Sequence, residues 1–150
     1  MPQSFTCLHY HFIFSTKHRE PTITTDIQTR LYDYLGGVVR NQGGVLIAAG
    51  GIADHVHLLA RLRQESSVAD VMRMVKTNSS KWVHETFPAA GRFGWQAGYG
   101  AFTVSYSQVD EVKRYIARQE VHHRAVSFQE EYREFLTRHG IEFEEQYLWE

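Results

Sequence analysis

Residues 45–63 read VLIAAGGIADHVHLLARLR, and this stretch decides the class of fold. It contains two apolar segments of strand length, Val45–Ala53 and His55–Arg63, which are separated only by Asp54. The spacing predicts a β-hairpin with its turn near Asp54. A hairpin at the centre of the chain favours an antiparallel sheet.

The segments on either side of the hairpin show strand and helix patterns in turn. The first has side chains of alternating polarity, and residues that favour helix caps precede the helical segments. The order β-α-β-β-α-β, followed by two helices, predicts an α+β fold. We expect the ferredoxin-like split β-α-β antiparallel sheet, with helices on one face and additional C-terminal helices. The flanking elements are predicted at Phe5–Ser15 (strand), Thr25 to about Asn41 (helix), Val68–Phe87 (helix), Phe102–Tyr106 (strand), Val109–His123 (helix) and Ser127–Gly140 (helix).

The length and composition fit one globular domain over residues 1–150. Hydrophobic residues make up 43% of the chain and charged residues 22%, which excludes a disordered protein. No signal-peptide pattern follows Met1, and the longest aliphatic run is far too short to span a bilayer. The single cysteine, Cys7, excludes an intramolecular disulfide. We expect Cys7 to be buried and the protein to be cytoplasmic.

The net charge of −1 conceals an uneven distribution. Residues 1–129 carry 14 Lys and Arg against 10 Asp and Glu, whereas residues 130–150 carry 2 against 7. This segregation fits a basic working surface with an acidic tail, or simply a solvated C-terminal face. Apolar residues in the acidic segment, among them Phe143, Leu148 and Trp149, predict that it packs on the rest of the protein or on a partner subunit.

Nine histidines make metal or acid–base chemistry worth seeking. His55 and His57 lie two apart in a predicted strand, so both imidazoles project from one face and can bind one cation. His9 and His11 have the same spacing. For either pair, the alternative is a half-exposed strand face without a chemical role.

A second feature lies in the predicted helix Val109–His123. Tyr115 and Gln119 are four residues apart and therefore share a helical face. A tyrosine that is activated by a metal or a base can act as a covalent nucleophile. An amide oxygen at Gln119 can complete a metal site begun by two histidines. Taken alone, a tyrosine with a polar amide neighbour is usually a surface residue that packs against the helix and has no chemical role.

These segments resemble one known family. Asp54-His55-Val56-His57 is similar to the histidine–hydrophobe–histidine (HUH) motif. Tyr115-Ile116-Ala117-Arg118-Gln119 resembles the tyrosine helix of the single-tyrosine HUH transposases. These IS200-like enzymes mobilise small insertion sequences as single-stranded DNA. The likeness covers nearly the whole chain and includes Thr16–Arg19, Lys76–Trp82, Gly98–Phe102, His122–Arg124, Ser127–Glu131 and Tyr147–Trp149.

The resemblance implies a fold, an activity and a site. The fold of the family is ferredoxin-like, in agreement with the order of elements above. Tyr115 is implied as the nucleophile that attacks single-stranded DNA, leaving a 5′-phosphotyrosine and a free 3′-hydroxyl, before a second strand's hydroxyl rejoins the DNA. His55, His57 and Gln119 are implied as ligands of Mg²⁺ or Mn²⁺. The family also implies a homodimer and hairpin-forming element ends as substrate, and either subunit's Tyr115 can serve a given histidine pair.

Residues outside this set are weaker candidates. Exposed cations can bind phosphates and loop aromatics can stack on bases, although solubilising and core-filling roles are common. The candidate cations are Lys17, Arg19, Arg61, Arg63, Lys76 and Lys81, and the candidate aromatics are Phe93, Trp95 and Tyr99.

Tyr106 is interpreted as structural, and His9 and His11 as strand surface or part of the site's surround. His122 and His123 can be ligands, but adjacent helical positions diverge by about 100°, so one is interpreted as capping or packing.

Three functional hypotheses stay open. The first is a metal-dependent, single-tyrosine DNA transposase. The second is a non-catalytic or host-recruited nucleic-acid-binding relative on the same fold, such as a repeat-processing nuclease or a regulator. The third is a metal phosphodiesterase that uses water and forms no covalent adduct. The joint presence of His55, His57, Tyr115 and Gln119 favours the first, and all candidates lie in residues 1–129, with none in the acidic segment.

Overall fold

A four-stranded antiparallel sheet forms the centre of the structure, a computed structural model that describes residues 3–149. The strands are β1 (Leu8–Ser15), β2 (Val45–Ile52), β3 (His55–Leu62) and β4 (Gly100–Val104). The helices are α1 (Thr25–Asn41), α2 (Val68–Thr86), α3 (Val109–Ala117), α4 (Gln119–His122) and α5 (Phe128–Arg138). The strand order β2-β3-β1-β4 is that of the ferredoxin-like plan, so the predicted fold is confirmed. No helix within residues 3–149 combines the length and apolar character needed to cross a membrane.

One face of the sheet packs against α1 and α2 and forms the main hydrophobic core. Phe12 and Phe14 of β1, with Val56 and Leu58 of β3, are at most 1% exposed. The two helices contribute Leu31, Leu35, Val38, Val71, Met72 and Val75. Each such side chain contributes about 1.5–3 kcal/mol on burial. Because side chains alternate along a strand, this core directs the intervening residues of β1 and β3 to the opposite face.

The opposite face is covered by α3, α4 and α5, the additional C-terminal helices, whose face the sequence does not predict. A second apolar cluster joins Ile13 of β1 and Phe102 of β4 to Phe128, Tyr132 and Leu136 of α5. The C-terminal helices pack there because α1 and α2 already occupy the first face. We call this second side of the sheet the histidine face, because His55 and His57 project from it.

The predicted helix Val109–His123 is broken at Arg118. There the backbone adopts φ −102° and ψ 18°, so α3 ends and the four-residue α4 begins one residue later. The caps of two other helices agree with the sequence, since Ser67 and Ser127 each accept a hydrogen bond from a backbone N–H of the first turn. The break therefore separates Tyr115 and Gln119 into two consecutive helices.

Two predictions near the chain ends are corrected. The first strand begins at Leu8 and not at Phe5, so Cys7 lies outside it and is exposed instead of buried. The acidic C-terminal segment packs only in part. The Trp149 ring lies 6.1 Å from that of Phe128, whereas Tyr147 is 60% exposed.

A close approach between β2 and α3 depends on one glycine. Gly50 pairs with His57 in the β2–β3 register, so its missing side chain would lie on the histidine face. A Cβ at this position would overlap the carbonyl oxygen of Ile116 and lie 2.8 Å from the Ile116 Cγ2. Ile116 is itself 1% exposed. The glycine therefore allows α3, which includes Tyr115, to pack directly on the strand backbone.

We expect Gly50→Ala to lower the free energy of unfolding by about 1–3 kcal/mol, because the added methyl group must displace α3. Urea unfolding followed by circular dichroism measures the change. Gly37→Ala is the matched control, since a Cβ in this part of α1 meets nothing within 4 Å, and it should be neutral or stabilising. Equal stability of Gly50→Ala and the wild type would contradict this packing.

Candidate metal and tyrosine site

His55 and His57 lie next to each other on β3, between β2 and β1. Both side chains are 0% exposed. Their rings are oriented by hydrogen bonds at Nδ1: Asp54 Oδ1 lies 2.8 Å from His55 Nδ1, and His11 Nε2 lies 2.8 Å from His57 Nδ1. Because each Nδ1 is engaged, the Nε2 atoms are left to face a ligand.

A carboxylate from the acidic segment lies against these Nε2 atoms. Glu131, on α5, is 2% exposed. Its Oε1 is 2.9 Å from His57 Nε2 and 3.5 Å from His55 Nε2. Its Oε2 accepts a hydrogen bond from the Tyr115 hydroxyl. One carboxylate therefore bridges the histidine pair and the candidate nucleophile.

Gln119 and His123 complete the ring of polar groups. The Gln119 Oε1 lies 3.1 Å from His55 Nε2 and 2.9 Å from His123 Nε2, and the Gln119 Nε2 donates to the carbonyl of Tyr115. His123 Nε2 is also 3.2 Å from Glu131 Oε1. Residues from β3, α4 and α5, together with His123 just after α4, thus converge on one point.

The site is closed on the His55 side and open on the Tyr115 side. The ring of Phe128 stacks on His55 with the ring centroids 4.2 Å apart. Tyr115 and His122 instead line a cleft of about 480 Å³ between β4, α3 and α5. A substrate can therefore reach the Tyr115 hydroxyl and the Glu131 carboxylate from this cleft.

Burial and charge set the protonation of the site. Burial lowers the pKa of His11 to about 3 and that of His57 to about 4, so both imidazoles are neutral at pH 7. A neutral imidazole is the form that binds a metal. Burial alone would raise the pKa of Glu131, but hydrogen bonds from His123 and His57 hold it well below its usual range. Burial and the contact with Glu131 raise the pKa of Tyr115, so the phenol keeps its proton.

The donor atoms fit a divalent metal ion. One ligand atom from each of His55, His57, His123 and Glu131 lies within 4.8 Å of the other three. Ligand atoms on opposite sides of one ion lie about 4 Å apart. Imidazole nitrogens and carboxylate or amide oxygens are ligands of Mn²⁺ and its neighbours in the first transition series. These residues could therefore hold a metal ion, with the Gln119 amide oxygen beside them.

The structure brings together the four residues that the sequence singled out: His55, His57, Tyr115 and Gln119. Their chemical roles stay predictions. His11, for which the sequence left two alternatives, belongs to the surround of the site, because it is 3% exposed and its imidazole contacts that of His57.

The acidic segment, in which the sequence provides no candidate, contributes Glu131 to the centre of this cluster. The charge pattern alone leaves Glu131 in an acidic tail or on a solvated face and indicates no role for it. A usable signal was present in the helix pattern: Glu131 falls on the apolar stripe of α5, beside Phe128 and Tyr132. An acidic residue on a buried stripe needs a partner, and such positions point to a site.

The candidate DNA contacts have different surroundings. Lys17, Arg61, Arg63 and Lys81 are exposed, and their predicted role stays a prediction. Arg19 lies over an aromatic ring. The Lys76 ammonium donates at 2.5–3.0 Å to the carbonyls of residues 96–98 and orders the loop before β4. Phe93, considered for base stacking, is 3% exposed, and Trp95 packs against it, so both fill the main core.

Fold and site together define a class of protein. A ferredoxin-like antiparallel sheet that presents a His-x-His pair from a central strand, opposite a tyrosine on a C-terminal helix, is the architecture of the HUH-type transposases. The family model described as IS200-like transposase matches residues 4–119, which is most of the chain. The protein therefore belongs to the family of IS200-like transposases.

Individual relatives agree with this assignment. The chain is 26% identical over 117 residues to the ISDra2 transposase TnpA of Deinococcus radiodurans, covering 75% of this chain and 84% of that protein. A crystal structure of a Deinococcus radiodurans R1 protein named as a transposase matches with a TM-score of 0.63 and 26% identity, over 79% of this chain and 98% of the other. The structure of a REP-associated tyrosine transposase bound to a REP hairpin matches with a TM-score of 0.60, over 84% and 74% of the two chains. At 17% identity, this last likeness supports the shared fold.

In the presence of a chelator, we expect the free energy of unfolding to decrease as the pH falls from about 6.5 to about 4. The folded pKa values of His11 and His57 lie below the ordinary value of 6.5. Over this range the unfolded chain therefore binds protons that the folded chain does not, which favours unfolding. Each histidine adds a slope of up to about 1.4 kcal/mol per pH unit. Urea unfolding at steps of half a pH unit measures the slope.

His11→Gln keeps a hydrogen-bonding group beside His57 but removes one of the two titrations. This variant should reduce the slope of the free energy of unfolding against pH, between pH 6 and pH 5, by about half. His18→Asn, at an exposed histidine, is the control and should leave the slope unchanged. A stability that stays constant from pH 6.5 to pH 4 would be inconsistent with two buried, neutral imidazoles.

Proposed function

We propose that this transposase cleaves and rejoins single-stranded DNA through a 5′-phosphotyrosine intermediate, with Tyr115 as the nucleophile. The observation that supports this most directly is the position of the Tyr115 hydroxyl. It is bound by Glu131, whose other oxygen contacts His57. Nucleophile and histidine pair are thereby held as one site, as the resemblance to the single-tyrosine family implies.

In the proposal, His55, His57 and Gln119 are protein ligands of Mg²⁺ or Mn²⁺. Two observations support this assignment: His55 Nε2 faces Gln119 Oε1, and the His57 imidazole is neutral. When bound, the ion would polarise the scissile phosphate and offset the negative charge that develops on it. Asp54 and His11 hold the two imidazoles in the orientation that presents Nε2.

The residues of the chain supply the covalent step. The Tyr115 oxygen forms a bond to phosphorus, and the bond from phosphorus to the 3′-oxygen breaks. The product is a phosphotyrosine at the 5′ end of the downstream fragment and, once the leaving oxygen has taken up a proton, a free 3′-hydroxyl on the upstream fragment. The raised pKa of Tyr115 means that the phenolic proton must be removed during attack. Glu131 Oε2 accepts that hydrogen bond and, because its own pKa is low, is proposed to pass the proton on to the leaving 3′-oxygen and not to retain it.

The covalent ester retains the energy of the broken phosphodiester. A hydroxyl of a second strand can therefore attack it and release Tyr115 without ATP. His122 Nε2 lies 3.4 Å from the Tyr115 hydroxyl and 3.1 Å from Glu131 Oε2, and so can orient both groups before the first attack.

The open side of the site favours a single strand as substrate. A cleft of about 480 Å³ has the size of a small-ligand pocket, which suits an unpaired nucleotide better than a base-paired duplex. Exposed cations such as Arg61 and Lys17 are proposed to bind the phosphates outside it. We also propose hairpin-forming element ends as the substrate and a homodimer as the working form. The hairpin-bound tyrosine transposase of the same fold supports the first of these.

A labelled hairpin strand from the DNA that flanks the gene tests the nucleophile. With Mn²⁺, a strand labelled at its 3′ end should become covalently bound to the protein on a denaturing gel, because the tyrosine retains the 5′-phosphate of the 3′ fragment. A strand labelled at its 5′ end should be released as a shorter fragment. Tyr115→Phe should reduce the covalent product at least a thousandfold, since it lacks the attacking oxygen.

Tyr106→Phe is the matched control, because Tyr106 is 77% exposed and should be dispensable. A covalent band that persists in Tyr115→Phe would refute the assignment of the nucleophile. Cleavage without any covalent product would indicate a phosphodiesterase that uses water. Hairpin binding without cleavage would indicate a non-catalytic relative.

We propose that Tyr115 acts at the histidine pair of its own chain, which the 5.8 Å between the Tyr115 and His57 ring centroids supports, and a mixing experiment tests this arrangement. We expect co-refolded Tyr115→Phe and His57→Ala proteins to remain inactive, because neither chain then holds both groups. The formation of covalent product after mixing, compared with each variant alone, is the measurement. Recovery of about a quarter or more of the wild-type yield would show that Tyr115 serves the partner subunit instead.

A further inference from the structure

We propose that Glu131 and His123 bind the divalent metal together with His55 and His57, and that the resulting site binds Mn²⁺ in preference to Mg²⁺. The inference rests on the metal site of the proposed function and extends its ligand set. Both added residues lie beyond residues 4–119, the range that the family model matches. The extra ligands therefore come from the C-terminal part of this chain.

The first support is the convergence of the four donors. Glu131 Oε1 lies 2.9 Å from His57 Nε2, 3.2 Å from His123 Nε2 and 3.5 Å from His55 Nε2. All three imidazoles thus direct the same ring atom at one carboxylate oxygen. Glu131 is 2% exposed, so bulk water cannot replace these contacts. An ionised carboxylate is buried at this depth only when it is paired or coordinates a metal.

The second support is the balance of hydrogen-bond donors and acceptors. His123 Nδ1 faces the carbonyl oxygen of Val126, and its Nε2 faces only the oxygens of Gln119 and Glu131. Both nitrogens of this ring therefore face oxygen atoms, an arrangement in which one nitrogen donates a hydrogen bond and the other is free to bind a cation.

His55 is in the same situation. Its Nδ1 faces Asp54, and its Nε2 faces the oxygens of Gln119 and Glu131. The ring centroids of His55 and His123 are only 4.6 Å apart, so both rings can bind the same cation through Nε2. One cation among the Nε2 atoms satisfies both rings and the carboxylate at the same time.

The ligand types then decide the preferred metal. Mg²⁺ favours oxygen ligands and keeps most of its water, so three imidazoles suit it poorly. Imidazole suits the later divalent ions, and affinity rises from Mn²⁺ along the first transition series. A site with three histidines and one carboxylate should therefore bind Mn²⁺ at least ten times more tightly than Mg²⁺.

Metal titration without DNA tests the ligand set. Isothermal titration calorimetry of the wild type should show one Mn²⁺ per chain and a Kd for Mg²⁺ at least tenfold higher. Glu131→Gln and His123→Asn should each raise the Kd for Mn²⁺ at least tenfold. Glu142→Gln and His18→Asn remove the same groups from exposed positions and should bind Mn²⁺ like the wild type.

Circular dichroism and thermal melting establish that each variant is folded. If Glu131→Gln does not fold, Glu131→Asp keeps the charge but shortens the reach, and it should still weaken Mn²⁺ binding. Electron spin-echo envelope modulation of Mn²⁺ bound to the wild type should show three coordinated imidazole nitrogens. Two nitrogens, wild-type affinity in the variants, or equal affinity for Mg²⁺ and Mn²⁺ would overturn the proposal.

The binding data and the covalent assay separate this inference from the proposed function. Covalent product from the wild type, together with unchanged Mn²⁺ affinity in Glu131→Gln and His123→Asn, would disprove the extended ligand set and leave the function standing. Loss of Mn²⁺ affinity in both variants, with no covalent product from any hairpin, would support the ligand set and disprove the function.

Discussion

The buried carboxylate of Glu131 is the constraint on which the C-terminal half of the structure depends. Burying an ionised carboxylate costs several kcal/mol unless partners surround it. Its partners lie on β3, on α3 and at the end of α4, so satisfying the charge fixes those helices against the sheet. Within residues 3–149, every buried side-chain nitrogen and oxygen has a hydrogen-bond partner. The second face of the sheet is therefore organised by polar contacts as much as by its apolar cluster.

One face of the sheet packs the main core, and the other face carries the residues of the site. The first face packs on α1 and α2 and needs only apolar side chains at alternate positions of β1 and β3. The alternation leaves His11, His55 and His57 on the other face, where the main core holds the strands rigid beneath them. Gly50 lets α3 come close enough to bring Tyr115 to these histidines. A rigid sheet thus positions the groups of a transposase whose fold alone would not define its activity.

Local sequence patterns predicted the sheet and the helices well because their determinants are local. Strand alternation, serine caps and the turn at Asp54 depend on neighbouring residues. The histidine pair and Tyr115 also lie in short motifs, which the local sequence alone identifies. The break at Arg118 and the site position of Glu131 depend on contacts with distant strands. Periodicity predicts a continuous helix, and the charge pattern indicates no role for Glu131, because neither pattern depends on the opposite face of the sheet.

The central claim is that Tyr115 and the histidine pair act as one site on DNA, and mapping the covalent attachment tests it most directly. After reaction with hairpin DNA and nuclease digestion, trypsin should cut after Arg114 and Arg118 and release the peptide Tyr115–Arg118. Mass spectrometry should find the nucleotide on this peptide in the wild type and nowhere in His57→Ala. Attachment at another residue, or undiminished attachment in His57→Ala, would contradict the claim.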